Sequence, residues 1–482
     1  MAYSKTPVVQ TYETKRVNFI SNPQQRGTTA TQDFRLLNMM VEVIKSPVGD
    51  QSKYYIKSRP GVATAFTTAA GEGRGIYYWV RSGTGYCMAV VGNKVYANGT
   101  NVLTLATSTG TVGFTEFVSS TGTVSLVLLD GTDGYVFSDS TTSVKITDAD
   151  FPTPHVPIPI FVDGYLFVAK ANTADVYNSN LDDPALWTAG DFISAEMYPD
   201  LIVALSKNNN YIYAVGSSST EYLYDVANAT GSPLGRHDSA VQQFGTAARD
   251  SVVQTEVEVI MIGETNNGGH TVWTIDGFKA SEIGIPAVKS ALLAEGANLP
   301  NAQAFCVRVS GQKCYVICLT NRTLVYSFDT KMWHEWGTGT ESAFLCSHGT
   351  DGPNGSAYML DKTNGKIYTM DETLFTDAGT AINCVFTSAK LDFDTINRKF
   401  MYRLSIIGDV PDSAGNDLAV SVQWSDDDYK TFSTARTLTF NSDLPAIKQL
   451  GQFRRRAFKL TYSLPRLLRL EGLEVDINKG TV

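Results

Sequence analysis

The 482-residue chain is 43% hydrophobic and 18% charged, a globular balance long enough for several domains. Its formal net charge of −9 argues against a general phosphate-backbone binder, which needs a surplus of Lys and Arg to release counterions. No apolar run approaches the ~18 residues of a membrane span, and MAYSKTPVVQTYETKR has no apolar secretory segment, so neither is expected.

Residues 1–75 read as an irregular N-terminal arm, with one apolar segment, RLLNMMVEVI, and a turn at Ser58-Arg59-Pro60-Gly61. From 76 to 379 a unit repeats: strand, Gly or Asn turn, strand, turn, strand. It is visible in MAVVGNKVYANGTNVLTL from Met88, LVLLDGTDGYVFSDSTTSVKI from Leu126 and PIFVDGYLFVAKANTADVY from Pro159. Turn residues Gly92, Gly134, Gly164, Asn210, Gly269, Gly311 and Gly355 stand 30 to 59 residues apart, most of them 42 to 46. A period of ~40–50 residues is that of propeller blades, which stack around an axis because one blade cannot bury both its faces alone. The fold expected is all-β, a β-propeller of five to seven blades. The 59-residue step is the longest, so 227–250 reads as an insertion between two blades, a loop of the kind that carries binding. Within 380–482, six alternating strands with polar turns predict an additional C-terminal β-sandwich.

Arg236-His237-Asp238 has catalytic residue types. Consecutive side chains diverge, however, and nucleophile–base sets are assembled from distant positions. No G-x-S-x-G elbow accompanies it. With Gln243, it is expected to form an interface or channel loop. Trp333-His334-Glu335-Trp336 could bind a sugar, but its residues alternate between strand faces, and packing between blades is the plainer use. Cys314 and Cys318 share one strand face with no second pair to complete a zinc site, so buried thiols are expected. Ser425, Asp427, Thr431 and Phe432 are similar to the Asp-box turn of sialidases, a hairpin device, with Tyr429 at its glycine position. Arg454-Arg455-Arg456, followed by Arg466 and Arg469, forms either a basic contact face toward an acidic partner or DNA, or a charged sheet edge. There is no Walker A run or Rossmann fingerprint, and no cofactor or metal is expected.

Several further stretches form a series. Leu37-Asn38-Met39 is followed by Ser58-Arg59-Pro60-Gly61. Gly216-Ser-Ser-Ser-Thr-Glu-Tyr222 precedes Gln243-Phe244-Gly245-Thr246 and a glycine-rich hairpin at Asn266 to Gly269. Gly451-Gln-Phe-Arg-Arg-Arg456 leads into AFKLTYS. The series resembles the packaged-DNA stabilisation proteins of short-tailed bacteriophages, the tail hub or tail nozzle family. That resemblance implies a structural virion protein and no enzyme, made in the host cytoplasm. It implies a homo-oligomeric ring, a hexamer, below the portal and its head-to-tail adaptor. The ring would extend the DNA channel, close it after packaging and open for genome ejection. Implied partners are the adaptor and portal, a tail needle or plug, and tail fibres or spikes, with DNA passing through without sequence-specific binding. An acidic lumen that does not hold phosphates tightly suits that passage. The competing class is a glycan-binding or glycan-cleaving propeller, which predicts a polar, aromatic and carboxylate-rich pocket on one face. A scaffold propeller of a cellular assembly is the third.

Overall fold

The computed structural model describes residues 12–20, 34–44, 53–228, 230–265, 267, 269–339, 343–410, 417–440 and 445–480. The remaining parts of the expected arm, Ala229 of the expected insertion and Asn266 and Gly268 of the hairpin lie outside these. The chain forms two compact units. One comprises Pro60–Asp329 and Glu341–Gly379; the other comprises Met1–Arg59, Thr330–Thr340 and Thr380–Val482.

The first unit is a propeller of seven blades. Its inner strands are Gly73–Arg81, Gly113–Val118, Ile160–Val162, Ile202–Asn208, Val253–Gln254, Gln303–Val309 and Cys346–Asp351. Each touches the next, and the last touches the first. Blade two shows why the sequence stacks this way. Leu126 and Leu128 pack with Met88 and Val90 of blade one. Val127 and Leu129, pointing the other way, pack with Leu166 and Val168 of blade three. All four leucine and valine side chains are fully buried, at about 1.5–3 kcal/mol each. The ring is closed by an early strand: Gly61–Thr67 pairs antiparallel with Lys366–Asp371 as the outer strand of blade seven.

The repeat is more regular than the turn residues suggested. Third strands begin at Lys94, Gly134, Asp175, Thr220, His270, Thr323 and Lys366, about 40 to 53 residues apart. Gly92 and Gly269 lie between second and third strands, whereas Gly164, Asn210, Gly311 and Gly355 lie between first and second. The 30- and 59-residue steps therefore compare non-equivalent turns. The expected insertion at 227–250 is largely regular structure: Leu234–Gln242 is the outer strand of blade four, and Phe244–Thr246 opens blade five. The longest interval instead holds a helix, α1 (Pro286–Glu295), continued by a 3₁₀ turn at Gly296–Asn301. Pro286 suits its first turn, where no N–H partner is needed, and Gly296 ends it with φ +52°.

In the second unit two β-sheets share one core. One sheet runs Met39–Ile44, Lys53–Ser58, Arg469–Lys479, Lys399–Gly408 and Ala446–Phe453, with Glu13–Asn18 also paired to Arg469–Lys479. The other contains Arg35–Leu37, Cys384–Thr387, Ala457–Tyr462, Leu418–Ser425 and Arg436–Phe440. Val41, Ile56, Leu404 and Val475 from the first sheet meet Leu36, Phe386, Val420 and Leu460 from the second. Strands before residue 60 thus complete this unit together with residues after 380.

Candidate functional site

The stretches that carry the family resemblance are structural nodes. Asn38 is fully buried in a left-handed conformation, φ +56°, which Asn tolerates better than most residues. Its Oδ1 accepts from Arg59 Nε at 2.8 Å and Gly337 N at 2.8 Å, and its Nδ2 donates to Asn383 O at 2.9 Å. Arg59, also fully buried, donates through Nη2 to Gly337 O at 2.9 Å. Two motifs twenty residues apart are therefore one buried polar junction.

Gly216 to Tyr222 forms a second node, in blade four. Asp200 Oδ2 accepts from Ser218 N at 2.8 Å and Ser219 N at 3.0 Å, and Oδ1 from Ser219 Oγ at 2.8 Å. Glu221 Oε1 accepts from Met197 N at 2.8 Å and Tyr198 N at 3.2 Å. Burial leaves the Glu221 carboxyl raised, a rise those two N–H groups only partly offset. A Cβ on Gly245 would lie 2.1 Å from Gly216 O, so Gly245 serves close contact between blades four and five, whereas a Cβ on Gly216 would press on the Asp200 carboxylate.

Of the expected loop residues, Arg236, His237 and Asp238 lie on the outer strand of blade four, and Gln243 just past its end. Arg236 and Asp238 are exposed on one side, and Arg236 Nη1 donates to Ser194 O at 3.5 Å. His237 points the other way, 4.7 Å from the Phe278 ring and about 6 Å from those of Tyr211 and Tyr224. No nucleophile–base pair is assembled from the three. Gln243 is exposed and donates to Tyr198 OH at 3.4 Å.

The arginine triplet does not form one face. Arg456 is fully buried, forked onto Asp426 by two 2.8 Å bonds and stacked 4.4 Å from the Phe453 ring. Arg454 and Arg455 are exposed; Arg455 pairs with Asp428 at 3.1 Å. The Asp-box-like stretch is a closed turn. Asp427 accepts from Ser425 Oγ at 2.9 Å, Thr431 N at 2.9 Å and Thr431 Oγ1 at 2.6 Å, and the Thr431 bonds hold its carboxyl down to about 2. Tyr429 takes the glycine's left-handed place at φ +67°. Trp333, His334, Glu335 and Trp336 are all buried, and Glu335 is gripped by Arg35 at 2.8 Å. No cysteine forms a disulfide; burial lifts the Cys318 thiol to about 11.

Two features escaped the sequence. The inner strand of blade five is interrupted at 247–252, where a 3₁₀ turn, Arg249–Ser251, approaches the inner strands of blades four and six. Asp250 Oδ2 accepts from Thr111 Oγ1 at 2.5 Å, just ahead of blade two, and Ser251 O accepts from Tyr315 OH of blade six at 2.7 Å. The middle of the ring is thus crossed by the chain itself. Beside α1 lies a polar cavity of about 320 Å³, lined among others by Glu72, Glu295, Asn298, Gln303 and Lys362. Glu295 is engaged there by Thr320 N and Oγ1, at 3.2 and 2.6 Å. None of the cavity's lining residues is aromatic.

A seven-bladed propeller whose outstanding polar groups are structural junctions defines a β-propeller class with scaffold-like sites. The family described as "Bacteriophage P22 Gp10, beta-propeller", a phage stabilisation family, matches residues 23–375, and this chain belongs to it. It is therefore a structural phage protein of the virion. Among curated proteins none matches the sequence. Solved structures similar in fold include streptogramin B lyase, 13% identical over 69% of this chain and 98% of that one, TM-score 0.34. PorZ, a surface component of the type-IX secretion system of Porphyromonas gingivalis, is 9% identical over 80% of this chain and 46% of its own, TM-score 0.36. An exo-β-1,3-galactanase from Phanerochaete chrysosporium is 9% identical over 87% and 100%, TM-score 0.27. Among the described residues no helix is long and apolar enough to cross a membrane.

Proposed function

We propose that this chain is the nozzle of a short phage tail: copies form a ring, a hexamer, below the portal and its adaptor, close the DNA channel after packaging and open it for ejection. The observation that carries this reading is the family match over 23–375. The net charge of −9 supports it, because an acidic conduit lets a polyanion pass without holding it. The crossing of the propeller's middle by Arg249–Ser251 favours a DNA path between copies rather than through any one propeller. Arg236 and Asp238, on the outer strand of blade four, and Gln243, in the step from that strand into blade five, then serve contacts between subunits or with the channel. The second unit, taken as a sandwich, is the platform for adaptor, needle and fibre partners. The polysaccharide alternative requires sugar turnover, which this reading does not. The test is a phage lacking the gene: heads are expected to package DNA and then leak it. Normal retention of DNA without the protein overturns the proposal.

A further inference from the structure

The acidity of the chain is confined to one part of it. The sequence segments of the propeller hold 31 Asp and Glu against 15 Lys and Arg, whereas those of the second unit hold 17 against 24. Between Asp130 and Asp200 alone, in blades two and three and the approach to blade four, twelve acids accompany two bases, Lys145 and Lys170. Within that sector, Asp133–Lys145 is the ion pair made among the described residues. The charge is accompanied by apolar surface. Asp183–Ser194, the outer strand of blade three, has an open edge and exposes Leu186 (49%) and Phe192 (40%). Leu181, Met197 and Leu201 beside it are also exposed. An exposed strand edge with apolar side chains is a surface that natural sheets normally cover.

The second unit carries the complement. Arg398, Arg436, Lys448 and Arg454 are exposed on or beside strands Lys399–Gly408, Arg436–Phe440 and Ala446–Phe453. Arg436 Nη1 donates to Lys448 O at 2.9 Å and Arg454 Nη1 to Ile396 O at 2.8 Å. Among the described residues, none of the four pairs with a carboxylate. We propose that the acidic, apolar outer edge of blade three in one copy docks on this basic face of a second copy, head to tail. The same two patches then recur from copy to copy, and a heterologous contact of this kind gives a closed ring when the rotation between copies closes. Opposite charges raise the encounter rate and fix the register, and the apolar side chains supply the area removed from water. This occupant is favoured by charge complementarity within one chain; DNA is disfavoured at the acidic edge by its own charge.

The inference rests on the ring reading, and the two fail differently. A phage that retains DNA without the protein overturns the ring; assembly indifferent to the charges overturns this interface alone. The experiment is light scattering and native mass spectrometry of the full chain in about 50 mM salt, where the Debye length exceeds about 10 Å. Asp191→Lys with Glu196→Lys, and separately Lys448→Glu with Arg454→Glu, are each expected to weaken self-association at least tenfold. The four substitutions together are expected to restore it, since the charges are then exchanged. Unchanged unfolding curves separate these effects from misfolding. Association of either reversed pair at the wild-type level, failure of the exchanged variant to recover, or a wild-type chain that stays monomeric overturns the proposal.

Discussion

Asn38 shows how much one residue can settle. Replacing it with alanine removes the acceptor for Arg59 Nε and Gly337 N and the donor to Asn383 O, and leaves a Cβ residue at φ +56° without a compensating bond. A buried group stranded in this way costs about 1–3 kcal/mol, so Asn38→Ala is expected to lose about 3 kcal/mol or more in urea unfolding. A loss under about 1 kcal/mol would show that water replaces the bonds. His334 makes a pH prediction. It is 3% exposed, and burial holds its imidazole down to about 3. An unfolded histidine titrates near 6.5, so between these values the unfolded chain binds a proton that the folded chain does not. The stability is complete above about pH 6.5 and falls as pH drops, by about 1.4 kcal/mol per pH unit for this group. From pH 6.5 to 5, the wild type is expected to lose stability more steeply than His334→Gln; parallel curves would contradict this. Residue types in the sequence suggested that Arg454–Arg456 act together. Burial separated them, because an arginine can be forked and stacked inside as readily as displayed.

At the scale of elements, the hairpin repeat was legible because strand alternation and turn residues are local. The blade register was not, because first-to-second and second-to-third turns use the same residue types. The apparent insertion at 227–250 arose from that confusion, and the true one, α1, was hidden among helix formers bounded by Pro286 and Gly296. Close approach between blades separates glycines that look alike. Gly245→Ala would press a Cβ to 2.1 Å from Gly216 O, and about 3 kcal/mol of destabilisation is expected as the blades part. Gly311→Ala meets nothing within 4 Å and bears only its φ of +74°, a cost of about 1–2 kcal/mol. Thermal unfolding of the two variants should rank them in that order; equal losses would mean that the blades shift freely.

Over the whole molecule, charge is segregated: an acidic propeller and a second unit in which Lys and Arg prevail. Any assembly held by that segregation weakens with salt. Raising salt from about 50 to about 500 mM, which shortens the Debye length severalfold, is expected to dissociate the full chain in sedimentation. A sedimentation coefficient unaffected by salt would mean that apolar contact alone holds the copies together. The sequence determined by itself that the chain is all-β and repeats, that it resembles phage stabilisation proteins, and that 236–238 lacks the context of a catalytic set. These depend on period, composition and local motifs. Only the tertiary structure decided the seven blades, the closure by Gly61–Thr67, the Asn38–Arg59 junction and the chain crossing the ring's middle. Each joins residues whose separation along the chain leaves no periodic trace, so their partnership exists only once distant segments have folded against one another.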